Sequence, residues 1–335
     1  MSATIKDIAK KVGVSPSTVS RVINGTASIS DEVTAKIREA MKELDYHPNA
    51  RARSFATGVT NTAGLVMNAS NETIFSNSFF NRSVFAIEKV LQDHSYNLLI
   101  VNDNGQSDSQ ILELVQGKKV DGLIIPSSSL DDRLISFLQE VEFPFVVMGE
   151  PARRVKEVPW VDVDNEQGAV EGTKELLKSG YPEVVLIADD DETVFSQNRL
   201  RGYREAVQLR CKEQVVMAHH QYEDFERRLV TEVGNLQNKG FLCANNEIAF
   251  YTKEVLKKLG IEVPEEAGIV TFDNYPLAEY MDPPFSAIDV DTYQLGEKAA
   301  EMLMECMHGK KMVRHQLIRT NLIVRASSER SIRKE

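Results

Sequence analysis

The chain has 335 residues, 42% of them hydrophobic and 27% charged, with a formal net charge of −11. That length is too great for one hydrophobic core, and no apolar run approaches 18 residues, so a cytoplasmic protein of several folded units is expected, without a membrane span or secretory leader. Cys211, Cys243 and Cys306 are too few and too scattered for a disulfide framework or a cysteine zinc site, and no cofactor or metal is implied.

The chain opens with two helix signals joined by a turn. Thr4 is placed to cap a first helix, with the Asp7 carboxylate at its positive end, and Gly13 stops it. Ser15 caps a second helix with Pro16 at its first position, where the missing N–H costs nothing. Ile5, Ile8, Ala9, Val14, Val19, Val22 and Ile23 recur at helical spacing and predict a small core. Ser30 caps a third helix, with apolar Val33, Ile37, Ala40, Met41 and Leu44 on one face. The pattern is that of a helix-turn-helix, whose second helix enters the DNA major groove. Arg21 suits guanine, and Ser17 or Thr18 suits a base edge or phosphate. A plain helical hairpin with a solvated polar face is the alternative. After it, residues 49–58 form a short, basic, alanine-rich stretch, capped by Asn49 and ended by Gly58.

From residue 63 onward, apolar runs alternate with helical patterns. Strands are predicted at 63–67, 96–101, 122–126 and 144–149, with helices near 77–93, 107–116 and 132–140 between them. The series restarts at 161–164 and continues through strands at 184–188, 215–219, 241–245 and 269–273. Residues 287–290, a helix over 292–307 and an apolar stretch at 316–324 then carry the chain back between lobes. The fold class is therefore an all-α helix-turn-helix headpiece followed by a two-lobed α/β core of two doubly wound parallel sheets. The predicted boundaries are a helix-turn-helix headpiece over 1–48, a short basic linker over 49–60 and a core over 61–335. Lobe one takes 61–158 and 292–318, and lobe two takes 161–288 and 319–335.

Ligands of such sheets bind beyond the carboxyl ends of the strands. Asn68, Trp160, Asp164, Asp189 to Glu192, Asn245-Asn246 and Asp273-Asn274 stand near those ends. Phe79, Phe80, Trp160 and Tyr222 offer flat faces for a sugar, although either phenylalanine alone fits a core position equally well. The acidic run 189–192 and the pair His219-His220 read as solvated groups rather than metal ligands. No Walker loop, Gly-x-Ser-x-Gly elbow or metal signature is present.

Charge is divided unevenly. Residues 1–60 carry nine Lys or Arg against six Asp or Glu, so the rest carries 30 against 44. A small basic head on an acidic body fits specific DNA binding better than nonspecific coating.

The run Thr4 to Asn24, followed by Tyr46-His47-Pro48-Asn49 and Ala52-Arg53-Ser54-Phe55, resembles the lactose/galactose repressor (LacI/GalR) family of bacterial transcription regulators. The likeness extends through the whole chain. It implies a non-enzymatic repressor that binds a pseudo-palindromic operator as a homodimer and answers to a small effector held between two lobes. By the same resemblance the linker 49–60 after the headpiece becomes a hinge helix that forms in the minor groove. Phe55 stands where the family usually has leucine, and phenylalanine also serves as an intercalating wedge. The implied DNA-binding residues are Thr4, Ser15, Pro16, Ser17, Thr18, Arg21, Asn24, Asn49, Ala52, Arg53 and Phe55. Arg199, Asn245 and Asp273 match effector-contacting positions, with Phe79, Phe80, Trp160 and Tyr222 as aromatic contacts. The headpiece wording and Asn77-Ser78-Phe79-Phe80 look most like maltose-operon repressors of Gram-positive bacteria, implying maltose or a maltodextrin as effector. Alternatives are a non-sugar effector, a phosphorylated partner protein as coregulator, a sugar-processing enzyme with an acid and nucleophile carboxylate pair, or an architectural DNA binder. The chain ends without a leucine-repeat helix, so a dimer rather than a tetramer is expected.

Overall fold

Three short helices, α1 (Ile5–Val12), α2 (Pro16–Asn24) and α3 (Asp31–Glu43), form the N-terminal unit of the computed structural model. The structure describes residues 3–25, 28–47, 58–67, 78–102, 108–152, 158–189, 193–218, 222–310 and 315–330. The Asp7 carboxylate reaches back to accept the Thr4 N–H at 2.9 Å and the Thr4 hydroxyl at 2.7 Å, closing the start of α1. Gly13 adopts φ 76°, a left-handed conformation that ends α1 and turns the chain into α2. Ile8, Ala9, Val19, Ile37 and Ala40 are buried together, as the helical spacing predicts. Ser30 stands at the start of α3 but makes no capping bond. Asp31 and Glu32 occupy that first turn instead, and Glu32 pairs with Lys36 at 2.7 Å.

The first sheet contains β1 (Thr62–Met67), β2 (Asn97–Asn102), β3 (Gly122–Pro126), β4 (Phe145–Met148), β5 (Trp160–Val163) and β11 (His315–Ile318), in the order β11-β5-β4-β3-β1-β2 and parallel throughout. Helices α4 (Ser78–Asp93), α5 (Asp108–Gln116) and α6 (Asp132–Glu140) connect its early strands. The second sheet contains β6 (Glu183–Ala188), β7 (Val215–Met217), β8 (Lys239–Cys243), β9 (Ala267–Phe272), β10 (Ser286–Asp289) and β12 (Asn321–Ile323), ordered β12-β10-β9-β8-β6-β7. Its helices are α7 (Asn165–Lys178), α8 (Val194–Val207), α9 (Tyr222–Val233) and α10 (Asn246–Lys258). Runs such as Ala63–Met67 and Val184–Ala188 are buried on both faces because helices cover both sides of each sheet.

Two expectations require correction. The strand near residue 161 does not begin lobe two: β5 pairs in parallel with β4 and β11, so it belongs to the first sheet, and the crossing falls at the start of α7. The second sheet is not parallel throughout: of the two strands in the apolar stretch 316–324, β11 joins the first sheet and β12 the second, where β12 runs antiparallel to β10. The described chain thus passes between the lobes near 164, near 290 and near 319. On the second pass, α11 (Thr292–Met307) returns to lobe one and packs on α4 and on β3 to β5. Among the described residues, no helix is long and apolar enough to cross a membrane.

The helix crossings are close. A Cβ on Gly202 would lie 2.0 Å from the Glu166 carbonyl oxygen, where α8 meets α7, and one on Gly296 would lie 2.3 Å from the Ser83 carbonyl oxygen, where α11 meets α4. Both obstacles are backbone, which cannot swing aside. Gly202→Ala and Gly296→Ala should each destabilise their lobe by about 1–3 kcal/mol, measured by chemical denaturation. Unchanged unfolding midpoints would show that these helix pairs separate freely.

Candidate DNA-reading helix and effector cleft

Ser15 Oγ accepts the Thr18 N–H at 3.1 Å and lies 2.7 Å from Ser17 Oγ and 2.8 Å from Thr18 Oγ1. This hydroxyl cluster marks the start of α2, while Val19 faces inward at 0% exposure. Pro16, Ser17 and Arg21 are exposed on the outer face, and Asn24 bonds Ser20 at 3.3 Å one turn further on. The exposed row has the spacing of a groove-reading helix face. Asn49, Ala52, Arg53 and Phe55, and with them residues 49–57 of the hinge, lie outside the described residues.

Between the lobes lies a cleft of about 730 Å³, lined from lobe one by Ser127, Ser128, Met148, Gly149, Glu150 and Asp162. Lobe two contributes Asp189, Thr193, Phe195, Arg199, Asn245 and Asp273, and Asn165 stands at the crossing between them. Arg199 is central and 8% exposed. Its Nε donates to Asn165 Oδ1 at 2.9 Å and its Nη1 to the Ala244 carbonyl at 2.6 Å. The guanidinium carbon lies 3.8 Å from the centroid of the Phe272 ring and 5.1 Å from that of Phe195.

Burial pulls the Arg199 guanidinium below its ordinary pKa, and the charges of Asp273, Asp189 and Asp162 oppose that shift. Burial likewise pushes the Asp273 carboxyl up, against Arg199 and reinforced by Asp189 and Asp289. Asp273 has φ 69°, and its Oδ1 is buried with no hydrogen-bond partner among the described residues. Asp162 is also raised by burial, although the Glu150 N–H at 2.9 Å and the Val163 N–H at 2.7 Å favour its charged form. Asn245 caps α10 by accepting the Ile248 N–H at 2.9 Å, and its amide donates to Asp189 at 3.2 Å.

Arg199, Asn245 and Asp273 therefore meet in one cleft, as the sequence predicts for them. Trp160 does not join them. It opens β5, whereas the cleft lies at the strand's carboxyl end, and its ring stacks on His315 with centroids 5.3 Å apart. Phe80 packs on the hydrophobic core and is not a cleft-lining residue. The side chains of Phe79 and Tyr222, together with Asn68 and 190–192, lie outside the described residues. Asp164 caps α7 through the Gln167 N–H, and Asn274 accepts from Arg325 at 2.9 Å, so both have structural partners. Sequence reasoning missed Ser127, Ser128, Glu150, Asp162, Asn165 and Phe195. The signal was available for Ser127 and Glu150, which follow the carboxyl ends of β3 and β4.

The architecture defines a two-lobed, periplasmic-binding-protein-like receptor carrying a helix-turn-helix. Residues 4–49 match the family described as bacterial regulatory proteins, lacI family, and residues 173–328 match a periplasmic binding protein-like domain. The repressor PurR of Aliivibrio fischeri is 30% identical over 325 residues, covering 92% of this chain and 93% of that protein. The regulator MalR of Streptococcus pneumoniae is 29% identical over 334 residues, covering 93% and 94%. The solved complex of the transcriptional regulator CelR with cellobiose is 27% identical, covers 97% of this chain and 99% of that one, and superposes with a TM-score of 0.71. The chain belongs to the LacI family of bacterial transcription regulators. It is a DNA-binding regulator and not an enzyme, which removes the sugar-processing alternative.

Arg199→Met keeps the side chain's bulk and removes the charge that holds down the Asp273 and Asp162 carboxyls. Their folded pKa values then rise further above the ordinary carboxylate value. Such a group favours folding below its unfolded pKa, and that contribution is lost as pH rises through the folded pKa. The stability deficit of Arg199→Met should therefore be larger at pH 8 than at pH 5, compared with the parent by denaturation. An equal deficit would show that Arg199 does not stabilise these carboxylates.

Proposed function

We propose that this regulator is a repressor whose operator affinity is set by a small saccharide bound around Arg199, Asp273, Asp189 and Asn245. The observation that carries this reading is the buried guanidinium ringed by carboxylates, with the Phe195 ring beside it, in a cleft between two lobes. Carboxylates accept hydrogen bonds from vicinal hydroxyls, a guanidinium donates to them, and an aromatic ring meets the C–H face of a pyranose. A cleft of about 730 Å³ is large enough for a disaccharide. The cellobiose complex of the related CelR supports the same ligand class, and gluco-disaccharides such as maltose and cellobiose are the first candidates. The protein acts in the cytoplasm as a homodimer, since one short helix makes too few base contacts for useful selectivity and a paired half-site supplies the remainder.

Coupling runs through the linker. The Asp121 carboxylate accepts the Thr60 N–H at 2.9 and 3.0 Å, the Thr60 hydroxyl at 2.9 Å and the Asn61 N–H at 2.8 Å. These bonds pin the chain leaving the hinge to lobe one, so a change of angle between lobes shifts the hinge itself. A ligand shifts that angle only through its differential affinity for the two states, and operator and ligand are therefore reciprocally linked.

On a DNA site selected from a random pool, maltose or cellobiose should change operator affinity in a fluorescence anisotropy assay. Asp273→Asn should abolish the change while leaving DNA binding intact, and an unchanged response would remove Asp273 from the effector site. Arg21→Ala should cost about 1–3 kcal/mol on the selected site and less on random DNA. Equal losses on both would make Arg21 a phosphate contact.

A further inference from the structure

The charge of the cleft narrows the ligand class beyond a saccharide in general. We propose that the cleft takes uncharged saccharides and rejects phosphorylated and acidic ones, and that Glu150 is a specificity-determining residue enforcing the rejection. The inference rests on the saccharide reading of this cleft.

Four carboxylates, Glu150, Asp162, Asp189 and Asp273, line the cleft, and Arg199 is the sole basic side chain among the described lining residues. That cation is already engaged. Two of its donors are taken by Asn165 and Ala244, one face lies against the Phe272 ring, and three carboxylates act on its charge. An incoming phosphate would compete with those carboxylates at close range, where like charges repel with little screening.

Helix N-termini are the other ordinary anion receptors, and α7, α8 and α10 all begin near the cleft. Side-chain oxygens cap α7 and α10, whereas α8 has no side-chain cap and carries only the Asp189 carboxylate beside Ser196 in its first turn. Asp164 accepts the Gln167 N–H of α7 at 3.0 Å, Asn245 accepts the Ile248 N–H of α10 at 2.9 Å, and Asp189 accepts from Ser196 Oγ in α8 at 3.1 Å. Neutral hydroxyls, by contrast, can donate to the carboxylate oxygens, and Asp273 Oδ1 has no partner among the described residues.

Of the two lobe-one carboxylates, Glu150 is the one bonded across the cleft to lobe two. Its Oε2 accepts from Asn198 Nδ2 across the cleft at 2.6 Å, and its N–H donates to Asp162 at 2.9 Å. Asn198 is 5% exposed, and its own oxygen accepts from Arg201 Nη2 at 2.6 Å. Arg201 in turn pairs with Glu166 at 3.0 Å. A carboxylate on such a chain of bonds cannot swing out to make room for an anion. It stays as a fixed negative charge, whereas a surface glutamate would move aside.

The test is calorimetric titration of the full chain with two matched pairs, maltose against maltose 6′-phosphate and cellobiose against cellobionate. The neutral member of a pair should bind at least about 100-fold more tightly than the anionic one. Glu150→Gln should narrow that gap about tenfold. If that variant does not fold, Asn198→Ala, which frees the carboxylate, should narrow it too. Equal or tighter binding of either anionic sugar overturns the exclusion. A gap that persists undiminished in the folded variant overturns the role of Glu150. If none of the four sugars binds, the saccharide reading itself fails, a result distinct from binding without discrimination.

Discussion

A guanidinium at 8% exposure cannot stand alone in a protein interior, and the effector half of this molecule is arranged around that constraint. Arg199 needs hydrogen-bond acceptors and negative charge, and it finds them at the ends of several separate elements. Ala244 follows β8, Asp273 follows β9, Asp189 follows β6, and Asn165 stands where the chain first crosses between lobes. Each lies far from the others in the chain. Parallel sheets bring them together because successive strands run the same way and end on the same edge.

The same arrangement makes the cleft responsive. Asp162 and Glu150 come from lobe one, while Asp189, Asp273 and Asn198 come from lobe two, so the electrostatic balance around Arg199 depends on how closely the lobes approach. The Glu150–Asn198 bond spans that gap directly. At the opposite end of lobe one, Asp121 fixes the chain that arrives from the DNA-binding head.

Much of this was legible in the residues. Helix stops and starts at Gly13, Ser15 and Pro16 are local chemistry, and local chemistry placed α1 and α2 correctly. Apolar runs located the core strands to within a few residues, since a doubly covered strand must be apolar on both faces. Asn245 and Asp273 were named by both the family resemblance and the strand-end rule, and Arg199, which lies on a helix, by the resemblance alone. Trp160 was misassigned because it opens its strand, and the cleft lies at the carboxyl end whichever lobe the strand belongs to. Glu150 went unremarked although the strand before it was predicted, because in lobe one the strand-end rule was applied only to Asn68, and Asp162 lies within β5 rather than beyond its end. Ser30 shows a smaller failure, in which a residue of the right type occupies a capping position and the bond does not form.

Periodicity, caps and charge segregation by themselves determined that a small helical reader precedes an α/β body of two lobes, because those signals depend only on near neighbours in the chain. Which sheet each strand joined was decided by tertiary structure alone. Sheet membership depends on pairing between segments such as β5 and β11, more than 150 residues apart. No local pattern records such pairing. The cleft, its carboxylates and the bond between Glu150 and Asn198 all follow from that assignment, since only the paired sheets bring those strand ends to face one another.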